Sequence, residues 1–186
     1  MSGLAWTNVE SNRMNNLVRQ LMSLSEVEYG KDELTIERVD IAELIKNHLM
    51  LNELLFKQNN IEIIYENSDE HIYVWTDVYR CEQVIRNYLS NAIHYCEGEK
   101  KIVIKIDKLG QLARINVFNT GKNIDCKDLP HIWEKFYKAD KARSREYGGS
   151  GVGLSLIKAI MDSFNMKYGV ENMPDGVNFY FELPFN

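Results

Sequence analysis

Apolar residues at helical spacing mark the N-terminal part of the chain. Met14, Leu17, Leu21 and Leu24 are separated by three, four and three positions, which is the a/d pattern of a helix that packs along a partner helix. Gly30 is expected to end this helix. Because the stripe is short, a helix folded onto its own domain remains an alternative.

The same periodicity predicts three further helices. One begins at the N-cap Asp40 and ends at about Gln58, the longest begins at the N-cap Asp77 and ends at about Cys96, and the last covers 151–164. The apolar side of the first consists of Ile41, Leu44, Ile45, Leu49 and Leu55, and that of the longest consists of Val84, Ile85, Leu89 and Ala92. Both patterns are typical of helices that cover a core.

Alternating apolar and polar residues predict three pairs of strands. The pairs are 61–67 with 71–75, 102–107 with 113–118, and 167–172 with 177–183. Turn residues separate the two members of each pair, most clearly Gly110 and the run Pro174-Asp175-Gly176. Because helices and hairpins alternate irregularly, the sequence predicts an α/β (α+β) two-layer sandwich in which helices cover one face of a mixed sheet.

Composition and charge narrow the class of protein. Of the 186 residues, 45% are hydrophobic and 26% are charged, which is typical of one folded domain with a short appendage. The net charge of -5 argues against nucleic acid or an acidic membrane as a partner, since both select for excess Lys and Arg. Three cysteines without CxxC spacing indicate neither a disulfide framework nor a zinc site, so a reducing cytoplasm is expected. No apolar run reaches the roughly 20 residues of a membrane-spanning helix.

Residues 119–150 are polar and basic, and the pattern predicts a tethered flap interrupted by Trp133, Phe136 and Tyr137. The flap leads into GGSGVGL, which starts at Gly148 and opens directly into a helix. Such a junction directs unpaired N–H groups and the positive end of the helix dipole at an anion. No Lys-Ser or Lys-Thr follows, so it is not a Walker sequence, and a flexible hinge remains the alternative.

Two other groups of polar residues are candidates for binding chemistry. Asn87 and Asn91 are four positions apart and therefore share one face of the longest predicted helix, with His94 about one turn further on. Paired amide oxygens can complete the shell of a magnesium ion that also binds phosphates. Asn119 and Gly121 follow a predicted strand and can receive the edge of a flat ring. Solvated amides and a plain turn are the respective alternatives.

In this order, the motifs resemble the catalytic domain of sensor histidine kinases, within the GHKL superfamily of ATPases. QVIRNYLSNAIHY from Gln83 resembles the N box, VFNTGKNI from Val117 the first glycine box, and IWEKFYKADKARSREYGG from Ile132 the F box and ATP lid. GGSGVGLSLIKAI from Gly148 resembles the second glycine box. ESNRMNNLVRQLMSLSEVE from Glu10 is similar to the second helix of the dimerisation and phosphoacceptor domain. The lid is most similar to that of vancomycin-sensor kinases of low-GC Gram-positive bacteria.

The resemblance implies a Bergerat-type ATP-binding fold over 31–186, preceded by a remnant of the dimerisation domain over 1–30. It implies that Asn87 and Asn91 hold Mg2+ and are catalytic, that Asn119 faces adenine, and that Phe136 packs the lid down. The implied ATP-binding residues are Asn87, Asn91, His94, Tyr95, Asn119, Gly121, Asn123, Ile124, Phe136, Lys138, Arg143, Arg145, Gly149, Ser150, Gly151, Val152, Gly153 and Leu154.

Three positions depart from the common form of the family. Asn119 stands where the family has Asp, and its amide keeps an accepting oxygen while adding a donor. Asn123 replaces a glycine, and asparagine tolerates positive φ better than any other non-glycine residue. His94 replaces a lysine and carries full charge only below about its free pKa of 6.5. These changes place nucleotide affinity in question.

The resemblance also implies a reaction and its partners. Hydrolytic relatives have Glu where this chain has Asn87, and an amide cannot take a proton from water. We therefore expect transfer of the γ-phosphoryl group to a histidine on a separate phosphoacceptor domain, because none of His48, His71, His94 and His131 lies in an H box. A response regulator and a homodimeric parent are implied partners, and no membrane contact by these residues is expected. A nucleotide-gated interaction module and a hydrolytic ATPase remain alternatives.

Overall fold

The computed structural model describes residues 3–30, 33–67, 69–139 and 150–185, with side chains from residue 14 onward. Helices and strands alternate irregularly in these ranges. In chain order they are α1 (Gly3–Glu28), β1 (Glu37–Asp40), α2 (Ile41–Leu51), α3 (Glu53–Asn59), β2 (Glu62–Glu66), β3 (Tyr73–Thr76), α4 (Val78–Tyr95), β4 (Lys101–Leu109), β5 (Leu112–Thr120), α5 (Gly153–Ser163), β6 (Tyr168–Met173) and β7 (Gly176–Pro184).

A five-stranded sheet in the order β2-β4-β5-β7-β6 forms one layer of the domain. Strand β2 runs parallel to β4, and the other neighbours are antiparallel, so the predicted mixed sheet is confirmed. The two predicted hairpins β4–β5 and β6–β7 are also confirmed. Alternate residues of these strands are buried, as the period of two requires for a sheet with one covered face. On β4 they are Ile102, Ile104 and Ile106.

The predicted pairing of 61–67 with 71–75 is wrong. Strand β2 pairs with β4 instead, and β3 pairs antiparallel with β1, a strand that the charged run Glu37–Asp40 did not reveal. The physical reason lies in a local turn after β2. The Asn67 side chain donates to the Asp69 carbonyl at 2.5 Å and accepts from the Asp69 N–H at 3.3 Å. This Asx-type turn takes the place of a hairpin turn.

The predicted helix from Asp40 to about Gln58 is two helices. Asp40 caps α2 as predicted, because its carboxylate accepts from the N–H groups of Ala42 and Glu43. Asn52, with φ of -100° and ψ of 3°, then separates α2 from α3. This break turns Leu55 outward and buries Phe56 in its place.

Helix α1, and not α4, is the longest, with 26 residues against 18. It ends before Gly30, which has a φ of 56°. Its C-terminal half packs on the domain, with Leu24 buried in the core and Leu17 and Leu21 against it, whereas Met14 is 66% exposed. In this structure the C-terminal half of α1 therefore lies against the domain that contains the sheet, and the division of the chain at residue 30 stays a prediction.

Helices α4 and α5 form the layer that covers the sheet above β5 and β7. The fully buried Tyr88 of α4 donates a hydrogen bond to the Tyr180 carbonyl at 3.1 Å, and its ring lies 5.3 Å from that of Phe179. Leu156 and Ile160 of α5 are equally buried. This packing fixes α4 and the start of α5 side by side. Within the described ranges, no helix is long and apolar enough to cross a membrane.

Candidate functional site

Helix α4 carries the predicted asparagine pair. Asp77 begins the helix by accepting a hydrogen bond from the Arg80 N–H at 3.0 Å, as an N-cap should. Two turns further on, Asn87 is 9% exposed and its Nδ2 donates to the Gln83 carbonyl at 2.7 Å. Asn91 is half-buried one turn later on the same face.

The start of α5 lies directly against Asn87. A Cβ atom placed on Gly153 would be 2.9 Å from Asn87 Oδ1, which is closer than real Cβ contacts. Glycine at this position therefore allows the helix terminus and the amide oxygen to share one space. The asparagine helix and the glycine run, which are more than 60 positions apart, form one site.

Backbone N–H groups are available where α5 begins. Within the described part of the chain, the N-cap residue Val152 makes no side-chain cap hydrogen bond, and the first turn of α5 contains no acidic residue. The Val152 side chain is fully buried, so only its backbone can face a ligand, while Leu154 is half-buried. The Val152 N–H donates to Ser150 Oγ at 3.1 Å. The uncapped first turn and the positive end of the helix dipole suit an anion.

The other end of the site lies where α4 meets the end of β5. Asn119 is 3% exposed, and its Nδ2 donates to the Tyr95 carbonyl at 3.4 Å and to the Thr120 carbonyl at 3.1 Å. Among the residues that the structure describes, none donates to Asn119 Oδ1, so this oxygen remains an acceptor for a ligand. A Cβ on Gly121 would lie 2.5 Å from the Tyr95 carbonyl oxygen, which explains glycine at this position.

The Thr120 side chain, which the sequence did not predict as part of the site, stabilises the same end of the site through hydrogen bonds. Its hydroxyl donates to the Glu97 carbonyl at 2.7 Å and accepts from the Lys101 N–H at 3.0 Å. The buried Cys96 lies beside it, and burial raises the pKa of the Cys96 thiol. A neutral, hydrogen-bonded lining is therefore built into this end of the site.

The loop 121–124 is attached to the β6–β7 hairpin at both ends. The Gly121 N–H donates to the Asp175 carbonyl at 3.0 Å. Ile124 donates its N–H to Asn172 Oδ1 at 3.0 Å and accepts from Asn172 Nδ2 at 2.8 Å. Asn172 was not predicted, because 48 positions separate it from Ile124 and no local motif marks it.

Asn123 differs from the prediction. It is exposed, and its φ is not positive, so the ability of asparagine to adopt a left-handed conformation is not used here. The loop keeps its shape through the Asn172 contact instead.

The flap is held at its base by backbone and aromatic contacts. The Phe136 N–H donates to the Gly151 carbonyl at 2.8 Å, with φ values of 64° and 72° at the two residues. Phe136 itself is 58% exposed, and because residues 140–149 of the lid lie outside the described residues, the expectation that it packs the lid down stays a prediction. Within the described part of the flap, Trp133 packs with its ring 4.8 Å from that of Tyr168.

The remaining predicted site residues are placed as follows. Lys138 is half-buried at the last described part of the flap. His94 is half-buried, and its Nδ1 lies 3.4 Å from Ser90 Oγ. Arg143, Arg145 and Gly149 lie outside the described residues.

The donor set fits magnesium in the presence of phosphates. No group of three or more His, Cys, Asp or Glu side chains that could hold a metal occurs within the described ranges. An ion here would depend on amide oxygens, such as Asn87 Oδ1, and on the oxygens of a bound polyphosphate. This division is typical of magnesium, which uses few protein ligands.

Helix α1 also reaches the site, which the sequence did not predict. Gln20 Nε2 donates to Asn87 Oδ1 at 3.2 Å, and Ser150 Oγ donates to Gln20 Oε1 at 2.6 Å. The available signal was the position of Gln20, a polar residue three positions after Leu17 and four before Leu24, on the apolar face of α1.

Comparison with known proteins shows which family this chain is similar to. The family model described as histidine kinase-, DNA gyrase B-, and HSP90-like ATPase matches residues 76–186. The sensor protein kinase WalK of Staphylococcus haemolyticus is 30% identical over 98% of this chain, and the chain spans 30% of that relative's length. No support was found for a closer likeness to vancomycin sensors.

Two solved structures of one histidine kinase are similar in fold. The catalytic domain of ThkA has 31% sequence identity and a TM-score of 0.71, covering 82% of this chain and 96% of that domain. ThkA in complex with the response regulator TrrA has 28% identity and a TM-score of 0.78, covering 96% of this chain and 49% of ThkA. The predicted two-layer sandwich is therefore confirmed by related domains as well as by the sheet itself.

Proposed function

This chain belongs to the histidine kinase-, DNA gyrase B-, and HSP90-like ATPase family, and we propose that it is the ATP-binding catalytic part of a sensor histidine kinase. It binds ATP with Mg2+ and transfers the γ-phosphoryl group to a histidine of a phosphoacceptor domain. Residues 31–186 form the catalytic domain, and 1–30 belong to the dimerisation and phosphoacceptor domain.

One observation carries this proposal, namely the close approach of Gly153 to Asn87. Only 2.9 Å separates Asn87 Oδ1 from the position that a Cβ on Gly153 would take, so a metal-binding oxygen lies at a helix terminus that attracts anions. We call Asn87, Ser150, Val152 and Gly153 the phosphate end of the site. A divalent ion bound together with a polyphosphate needs an oxygen ligand beside a group that attracts anions.

The opposite end of the site binds the base. We call Tyr95, Asn119, Gly121 and Ile124 the adenine end. Asn119 Oδ1 accepts from the exocyclic amino group of adenine, since the Asn119 nitrogen is used by the Tyr95 and Thr120 carbonyls. The replacement of Asp by Asn is therefore compatible with adenine recognition.

The chemistry follows from what these residues cannot do. Asn87 has no basic group, so it does not activate water, and hydrolysis of bound ATP is slow. The bond between the γ-phosphorus and the bridging oxygen breaks as a histidine nitrogen attacks in line, which yields ADP and phosphohistidine. A magnesium ion held by Asn87 and Asn91 would neutralise charge on the phosphate oxygens. The chain itself contributes position and oriented N–H groups.

The partners are the phosphoacceptor domain of the same or a sister chain, and then a response regulator that takes the phosphoryl group from histidine. The complex of ThkA with TrrA supports a response regulator as partner, since the similarity to ThkA covers 96% of this chain. A homodimeric parent is proposed from the likeness of residues 10–28 to a dimerisation helix.

The test is a pair of measurements on the whole chain. Calorimetry should detect ATP binding that strengthens with magnesium, and labelled ATP should transfer phosphate to a separate phosphoacceptor domain. Replacing Asn91 with Ala should weaken magnesium-dependent affinity at least about tenfold through loss of a ligand, while affinity in the presence of a chelator stays unchanged. Bound nucleotide without transfer would favour a nucleotide-gated interaction module, and rapid phosphate release would favour a hydrolytic ATPase.

A further inference from the structure

Gln20 of α1 links the two components of the phosphate end. Its Nε2 donates to Asn87 Oδ1 at 3.2 Å, and its Oε1 accepts from Ser150 Oγ at 2.6 Å. Ser150 Oγ in turn accepts from the Val152 N–H at 3.1 Å. One amide side chain therefore connects the asparagine helix to the backbone ahead of α5.

These bonds use groups that a magnesium nucleotide needs. The amide hydrogen of Gln20 points at Asn87 Oδ1, the oxygen that would face a cation, so it occupies one of the two lone-pair regions of that oxygen and its partial positive charge opposes a cation at the same atom. Gln20 Nε2 also lies 4.0 Å from the position of a Cβ on Gly153, so the glutamine amide fills space beside the uncapped terminus of α5.

Other contacts hold α1 in this position. Ser23 Oγ, one turn after Gln20 on the same face, accepts from Gln83 Nε2 at 3.1 Å. Glu28 Oε2 accepts from Lys135 Nζ of the flap base at 2.7 Å, and Leu24 is buried in the core. The seat of α1 thus touches α4, α5 and the flap, which are the elements around the phosphate end.

We propose that Gln20 is an affinity-determining residue of the nucleotide site, and that α1 seated through Gln20 competes with a magnesium nucleotide for Asn87 and the start of α5. The inference rests on the proposed function. Binding of a nucleotide displaces the Gln20 amide from Asn87, whereas seating of α1 lowers the apparent affinity. The two hydrogen bonds described for Gln20 go to Asn87 and Ser150, so binding of the base at the adenine end is unaffected.

The experiment compares three variants of the whole chain by calorimetry. Gln20→Ala removes both hydrogen bonds, Gln20→Met keeps the length and packing of the side chain without its polar groups, and Asn16→Ala removes an exposed amide from the same helix as a control. The probes are magnesium with a non-hydrolysable ATP analogue, and adenosine, which has no phosphates.

Gln20→Ala and Gln20→Met should bind the magnesium analogue about tenfold more tightly than the unchanged chain, since each displaced hydrogen bond costs part of the binding free energy. Asn16→Ala should leave this affinity unchanged, and all variants should bind adenosine equally. Unchanged or weaker analogue binding by Gln20→Met would overturn the inference. If even the unchanged chain binds no nucleotide at millimolar concentration, the proposed function fails with it.

Hydrogen exchange supplies a second readout that does not depend on stability of the variants. Saturation of the unchanged chain with the magnesium analogue should speed amide exchange in 17–28 of α1 and slow it at the start of α5. Protection of α1 by the nucleotide would show that helix and ligand bind together, and would overturn the competition.

Discussion

The adenine end and the phosphate end are held together in different ways. At the adenine end, the hydrogen bonds of Thr120, of Asn172 and of the Asp175 carbonyl all lie within the range 76–186 that the family model matches. At the phosphate end, Asn87 and Ser150 are bridged by Gln20 of α1, which comes before residue 31. The proposed adenine end is thus formed in advance, whereas the proposed phosphate end has hydrogen bonds that depend on where α1 lies.

This difference has a consequence for recognition. A preformed pocket loses little conformational entropy when the base enters. Conversely, polar groups that already have partners must exchange them when phosphates and metal arrive. The two ends should therefore respond differently to mutation, and ligands with and without phosphates can separate the responses.

The largest effect is expected at the adenine end, from Gly121→Ala. The new Cβ would meet the Tyr95 backbone carbonyl at 2.5 Å, and backbone atoms cannot move aside as a side chain can. We expect the free energy of unfolding to fall by about 2–3 kcal/mol. Chemical denaturation measures this change.

Gly110→Ala is the matched control for Gly121→Ala. Gly110 also has a positive φ, of 61°, but no atom lies within 4 Å of its Cβ position. It should therefore cost only about 1 kcal/mol, from backbone strain. Equal losses in the two variants would show that contact with Tyr95 does not constrain the adenine end.

An intermediate effect is expected at the phosphate end, from Gly153→Ala. Helix propensity alone would stabilise the chain by up to about 1 kcal/mol. Because the Cβ would press on Asn87 Oδ1, we expect affinity for the magnesium analogue to fall about tenfold, or about 1.4 kcal/mol. Calorimetry with adenosine is the control and should show no change. Normal analogue binding would contradict the shared space.

The smallest effect is expected from Asn172→Ala. It removes two exposed hydrogen bonds to the Ile124 backbone, so adenosine affinity should fall by about 0.5–1 kcal/mol as the loop 121–124 loosens. Asn172→Asp keeps the acceptor for the Ile124 N–H and loses the donor, so calorimetry should place it between the two. A loss of analogue binding without any loss of adenosine binding would reverse the assignment of the two ends.

Local patterns predicted the parts of the site that lie on one element. Asn87 and Asn91 share a face because four positions make about one helical turn, and the glycine run precedes a helix because the apolar period resumes there. The hairpins β4–β5 and β6–β7 could also be predicted from local sequence, because turn residues connect neighbouring strands directly.

Contacts between distant parts of the chain were not predictable in this way. The pairing of β3 with β1 depends on a turn at Asn67 and on a strand too charged to be recognised. Asn172 reaches Ile124 across 48 positions, and Gln20 reaches Asn87 across 67. Such amides resemble any solvated polar residue in sequence, and only the packing of the elements gives them partners.

Because α1 is long, a small tilt about Gln20 moves the N-terminal end of the helix by a larger distance. At 1.5 Å per residue, the 17 positions from Gln20 back to Gly3 span about 25 Å. A tilt of about 10° at Gln20 therefore moves the first turn of the helix by about 4 Å. If a nucleotide displaces Gln20 as we propose, a change at one hydrogen bond would become a displacement of several ångströms at the first turn of α1.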